Sequence, residues 1–163
     1  MRKFFIIGLI IVLGIVFGSL IYGSQYNSDM SNSTSQTSLE KGNYSKLKVG
    51  DAVLNVEVVR DISLQSKGLS GRQEIGSDGM LFVFPSKRIP SFWMKEMNFD
   101  LDMIWIKDGR VLEITRNIPK PANNNDQLKM YSPSQPIDQI LEVYAGDSLR
   151  LGIEFGDEVT QIK

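Results

Sequence analysis

Cysteine and histidine are both missing from this 163-residue chain. Without cysteine there is no disulfide, no thiol redox chemistry, no cysteine nucleophile and no lipoprotein-type thioether anchor. Without imidazole or thiolate there is no zinc site built from them and no Ser-His-Asp triad. Any metal would have to be held by oxygen, which selects calcium or magnesium. Any catalysis would fall to carboxylate, lysine, tyrosine or hydroxyl groups. A surplus of one charge is missing too. The net charge is −1 and charged residues make up 23% of the chain with the signs interspersed, so no basic stripe is available to track phosphates and no nucleic-acid partner is expected.

What the chain does contain is one long apolar run. Met1-Arg2-Lys3 is followed by Phe4 to Tyr22 without a charged residue, a helix of about 28 Å against a hydrocarbon core of about 30 Å. This reads as an uncleaved membrane anchor over residues 1–22; the alternative is a signal peptide cut after Gly23, and the small residues that cleavage prefers are lacking there. No Lys or Arg follows until Lys41, so the charge rule puts the N-terminus in the cytoplasm and the remainder outside. Gly14 and Gly18 form a Gly-x-x-x-Gly pair that would let two such helices approach as a dimer, although glycine is common in membrane helices in any case.

Residues 23–46 are rich in Ser, Asn, Thr and Gln and read as a flexible tether, since they bury too little apolar surface to offset the entropy of ordering. Ser38-Leu39-Glu40-Lys41 spells Ser-x-x-Lys, a coincidence in such a setting. Residues 47–163 read as one mainly β domain, a compact antiparallel sandwich or barrel-like unit with one short helix. Val53 to Arg60 alternates. Asp61 is placed as the N-cap of a helical turn over Ile62–Lys67 closed by Gly68. Met80 to Phe84 is apolar on both faces and reads as a central strand. Ser91 to Lys95 is another candidate. Leu101–Ile106 and Arg110–Asn117 flank Asp108-Gly109, a type I′ hairpin turn. Ile140–Tyr144, Leu149–Phe155 and Glu158–Ile162 complete the expected strands, divided by Gly146-Asp147 and Gly156-Asp157.

Several short motifs occur in order: Gly68-Leu69-Ser70-Gly71-Arg72, Gly79-Met80-Leu81-Phe82, Phe92-Trp93-Met94-Lys95, Leu101-Asp102 and Leu141-Glu142-Val143-x-Ala145-Gly146. Together, over about residues 48–162, they resemble the prokaryotic family known as domain of unknown function 192. The resemblance implies a small, mainly β protein, often exported or anchored, and brings no reaction with it. Where the family usually continues Trp-Met-Lys with Asn-Thr, this chain has Glu96-Met97, so any site using that pair is altered here.

Arg72, Trp93, Lys95, Asp102, Tyr131 and Glu142 are the candidate ligand-binding residues. In an extended segment Phe92 and Met94 share one face and Trp93 and Lys95 the other. Trp93 beside Lys95 could stack on a sugar or aromatic ligand, but core packing of Trp93 with Lys95 flanking it is the expectation taken here. Asn98-Phe99-Asp100-Leu101-Asp102 offers oxygens at alternate positions. It fails as a calcium loop, with Met103 and Gly109 where Gly and Glu belong, so no metal ligand is assigned. The stretch from Pro119 to Pro136, which includes Tyr131, is long enough to be a binding loop, or equally a solvated connection. Arg72, Lys95, Asp102, Glu113 and Glu142 are expected to meet near the core edge, most simply as a salt-bridge network.

With no nucleophile, cofactor or metal signature, the leading expectation is a non-enzymatic accessory or ligand-binding domain held outside the membrane, its partner an envelope glycan or a protein. The alternative is a hydrolase of envelope polysaccharide working through paired carboxylates.

Overall fold

The structure, a computed structural model, describes residues 43–123 and 128–162. The expected anchor, the Gly14/Gly18 pair, most of the tether and part of the Asn-rich stretch lie outside them. Among the described residues no helix is long and apolar enough to cross a membrane.

Strand-forming runs in the sequence become seven strands: β1 (Tyr44–Val49), β2 (Ala52–Val59), β3 (Gly79–Arg88), β4 (Leu101–Lys107), β5 (Arg110–Ile118), β6 (Ile137–Tyr144) and β7 (Val159–Ile162). β1 begins inside the last residues assigned to the tether. The strands form one sheet in the order β5-β4-β6-β3-β2-β1-β7. The domain is mainly β, as expected, but it is a single curled sheet, a half-barrel, where two packed antiparallel sheets were one of the expected forms. β2 and β3 run parallel, with Val58 beside Leu81. A parallel pair needs a long crossover, and residues 60–78 supply it, carrying α1 (Ile62–Lys67) over one face of the sheet.

The curl brings the start of β5 against the turn that leads into β7. Val111 N donates to Asp157 O (2.9 Å), Gly156 N to Val111 O (2.9 Å) and Val159 N to Gly109 O (2.8 Å), with Arg110 bridging to Glu158. Each face has its own core. The inner one gathers Leu47, Leu54, Val56, Leu81, Ile104, Leu141 and Val143 with Val111 and Val159 from the edges. The outer one holds Met80, Phe82, Met103, Trp105 and Ile140, roofed by Leu69, Ile75, Met94 and Met97 from the connections.

Local signals explain the short elements. Asp61 accepts from Ser63 N (2.8 Å) and Leu64 N (3.2 Å), and Gly68 at φ 50° ends α1. Asp108 and Gly109 adopt φ 54° and 70°, as a type I′ turn requires. Two expectations are corrected. Leu149–Phe155 is not a strand: α2 (Asp147–Arg150) replaces its start, with Ser148 buried and Leu149 and Phe155 both exposed. Ser91–Lys95 contributes only an isolated pairing, Phe92 with Tyr131.

Candidate functional site

Side-chain alternation sends Met80, Phe82 and Phe84 of β3 to the outer face, and the register places Glu142 of β6 between Met80 and Met103 of β4. α1 crosses above this face without burying any residue of its own. Gln65 pins it to the sheet, its side-chain amide donating to Val59 O (3.2 Å) and Val83 O (2.9 Å). Between α1, the 88–93 segment and the sheet lies a cleft of about 320 Å³. Its walls include Phe82, Phe84, Phe92 and Leu101, and Lys67, Arg88 and Trp93 stand at its exposed margin. An edge-to-face series of rings, Phe82–Phe92 at 5.4 Å and Phe92–Trp105 at 5.9 Å, stiffens one wall. Trp105 is in turn fixed by Nε1 donating to Thr115 Oγ1 at 2.9 Å.

Glu142 lines this cleft while only 5% exposed. Its carboxyl group has no hydrogen-bond or ion-pair partner among the described residues. Loss of solvent alone pushes its pKa up to about 8, so at neutral pH it is a protonated acid that can both donate and accept. Two of the hydroxyls lining the cleft are already committed, Ser66 Oγ donating to Ile62 O and Ser70 Oγ to Lys95 O, both at 2.9 Å, and the third, Ser91 Oγ, accepts from Ser132 Oγ at 3.3 Å. Arg88 lies over the Phe84 ring at 5.6 Å, and neither Arg88 nor Lys67 has an acidic partner among the described residues.

Of the six residues expected from sequence, the structure brings two, Glu142 and Trp93, to this cleft. Trp93 is 49% exposed, which corrects the expectation of core packing: Phe92 and Met94 take the inward face, so Trp93 and Lys95 alternate outward, with Lys95 Nζ 5.7 Å from the Trp93 ring. Arg72 is held by Glu57, its two terminal nitrogens donating at 2.7 and 3.0 Å. Tyr131 pairs through its backbone with Phe92 and takes Lys129 over its ring.

Asp102 registers with Val143, an inner-face residue, and so faces away from Glu142. Wholly buried, it accepts from Asn117 N (2.7 Å), Gly146 N (3.1 Å), Ser148 N (3.2 Å) and Ser148 Oγ (2.6 Å). Arg116 Nε donates to the same Ser148 Oγ at 3.0 Å. Asp102 thus knots β4, β5 and α2 together and has no capacity left for a ligand. Glu113 accepts from Ser134 N and Oγ, both at 2.8 Å. The expected meeting of Arg72, Lys95, Asp102, Glu113 and Glu142 does not occur, because the pleat puts Asp102 and Glu142 on opposite faces. In the metal candidate, Asp102 is taken up by the donors above, Asp100 Oδ1 accepts from Lys120 N and Asn98 Nδ2 donates to Arg72 O, both at 2.8 Å.

Sequence reasoning missed Gln65, Phe82, Phe84 and Arg88 as parts of a site. They read as helix surface and strand; the last three share β3, and the crossover brings Gln65 over them. Glu142 did carry a signal, a lone acid within the apolar run Ile140-Leu141-Glu142-Val143.

The sequence profile of domain of unknown function 192, described as Uncharacterized ACR, matches residues 45–161. No curated protein matches the chain. Among solved structures, a Sinorhizobium meliloti 1021 protein described provisionally as a transcription regulator is similar at 30% identity and a TM-score of 0.65, covering 74% of this chain and 95% of that one. A protein of unknown function from Novosphingobium aromaticivorans DSM 12444 is similar at 31% identity and a TM-score of 0.63, covering 72% and 84%.

Proposed function

Because this chain belongs to the family of domain of unknown function 192, the Uncharacterized ACR proteins, which comes with no reaction, we propose its function from the cleft itself. The domain is a non-enzymatic binding module for a small organic molecule, with Glu142 as the buried polar anchor. The observation that carries this reading is an acid 5% exposed, unpartnered and opening into an aromatic-walled cleft. A polar group withdrawn from water without a hydrogen bond costs the fold several kcal/mol, and convergent polar groups in an apolar pocket are the usual form of a small-molecule site.

The hydrolase reading finds less support. Glu57 shares the outer face with Glu142, but Met80 stands between them in register and Arg72 occupies both Glu57 oxygens. The Sinorhizobium protein's description suggests a regulator of transcription; with a net charge of −1 and interspersed signs, this chain offers nucleic acid no basic stripe. We place the module outside the cell membrane on the anchor Phe4–Tyr22, with the charge asymmetry of its flanks as support.

A thermal-shift screen of the full-length protein against small aromatic and polar organic molecules tests the binding reading. A ligand at 100 times its Kd adds about 2.7 kcal/mol, and the hits should weaken in Glu142→Leu. Hits indifferent to that change, or turnover of a bound molecule, would refute it. Added protease should cleave residues 47–163 on intact cells or spheroplasts; protection until the membrane is lysed would refute the placement.

A further inference from the structure

The cleft is chemically lopsided. At its floor is one neutral hydrogen-bonding acid, Glu142, flanked by Met80 from β3 and Met103 from β4. Its walls are mainly rings and aliphatic groups, and of its polar side chains Gln65, Ser66 and Ser70 donate to backbone carbonyls while Ser91 Oγ, at the rim, accepts from Ser132. At the exposed margin are two cations, Lys67 and Arg88, without acidic partners among the described residues. Lys67, Arg88 and Glu142 are the titratable groups that line the cleft. A ligand that satisfies all three zones needs an anionic end for the margin, a flat apolar body for the walls, and a neutral oxygen for the floor.

Resting on the reading of this cleft as a small-molecule site, we propose that its ligand is an aromatic organic anion carrying a carbonyl or hydroxyl oxygen at the end opposite its charge. The anion meets Arg88 and Lys67, where the guanidinium presents a fork suited to a carboxylate. The ring lies among Phe82, Phe84 and Trp93. The inner oxygen accepts the Glu142 proton. A cationic ligand fits less well, because the margin is already positive and a cation already sits on the Phe84 face.

The probe is 4-acetylbenzoate, titrated calorimetrically into the full-length protein in zwitterionic nanodiscs. Two comparators each change one end: 4-isopropylbenzoate lacks the inner oxygen, and 4-acetylbenzylamine replaces the anion with a cation. We expect 4-acetylbenzoate to bind best, with 4-isopropylbenzoate weaker by about tenfold or more, since it leaves the floor acid unpaired. Arg88→Gln should weaken 4-acetylbenzoate by about tenfold and leave the benzylamine no weaker. Because Glu142 releases its proton around pH 8, moving from pH 6.5 to pH 9 should weaken 4-acetylbenzoate about tenfold. In Glu142→Gln, whose amide also donates, binding should persist and that pH dependence vanish. Preference for the benzylamine, strengthening toward pH 9, would overturn the proposed class and leave the cleft reading standing. Equal binding of the isopropyl analogue would overturn the role of the floor. Silence from all three probes would count against both readings.

Discussion

Replacing Glu142 by glutamine should stabilise the protein, and by an amount that depends on pH. The side chain keeps its shape and neutral hydrogen-bonding character but can no longer ionise. In the unfolded chain a glutamate titrates near 4.5, whereas in the folded domain burial holds Glu142 to about 8. Below pH 4.5 both states carry the proton and the wild type loses nothing. As pH rises through 4.5 the unfolded chain ionises while the fold still holds the proton, so wild-type stability falls steadily and levels off only above pH 8. At about 1.4 kcal/mol per pH unit, the loss attributable to this residue is about 3 kcal/mol at pH 7 and about 5 kcal/mol above pH 8. Urea denaturation followed by tryptophan emission, with Trp105 buried in the folded state, measures it. With a slope of about 2 kcal/mol/M, the variant's midpoint should exceed the wild type's by about 1.5 M at pH 7 and match it at pH 4. A difference between the two proteins that stays constant from pH 4 to pH 9 would refute the reasoning, because Glu142 would then titrate alike in both states.

Other substitutions separate framework from site. Asp102→Ala strands three backbone N–H groups and the Ser148 hydroxyl and should cost about 3–5 kcal/mol in equilibrium denaturation, without a selective effect on ligand affinity at temperatures where the variant is folded. Gln65→Ala removes two hydrogen bonds that pin α1. It should cost about 1–2 kcal/mol and raise hydrogen exchange in 62–68 above that of the sheet, as mass spectrometry would detect. Trp93→Ala, at a half-exposed position, should change stability by less than about 1 kcal/mol while weakening any ligand of the cleft, a split that calorimetry and denaturation together resolve.

Much of the framework was legible along the chain because it depends on neighbours in sequence. Asp61 with Gly68, and Asp108 with Gly109, impose their caps and turns through local backbone chemistry. The doubly apolar run Met80–Phe84 announced a strand buried on both faces. The stretch Leu149–Phe155 misled because its apolar alternation is genuine, yet Asp102, distant in sequence, bonds Ser148 and Gly146 and draws the chain into α2. Trp93 misled in the opposite direction: bulk suggested burial, while the alternation of Phe92 and Met94 had already assigned it outward.

The sequence by itself determined the β character, the family resemblance, the lack of thiol and imidazole chemistry, and the oddity of an acid inside the run Ile140–Val143. Only the tertiary structure decided that β2 and β3 pair in parallel, that one sheet curls until the start of β5 meets the approach to β7, and that Glu142 opens into a cleft while Asp102 is consumed by backbone donors and Ser148. The physical reason is that caps, turns and pleats act over a few residues. Whether a buried acid finds a partner depends on strands and crossovers brought together from across the whole domain.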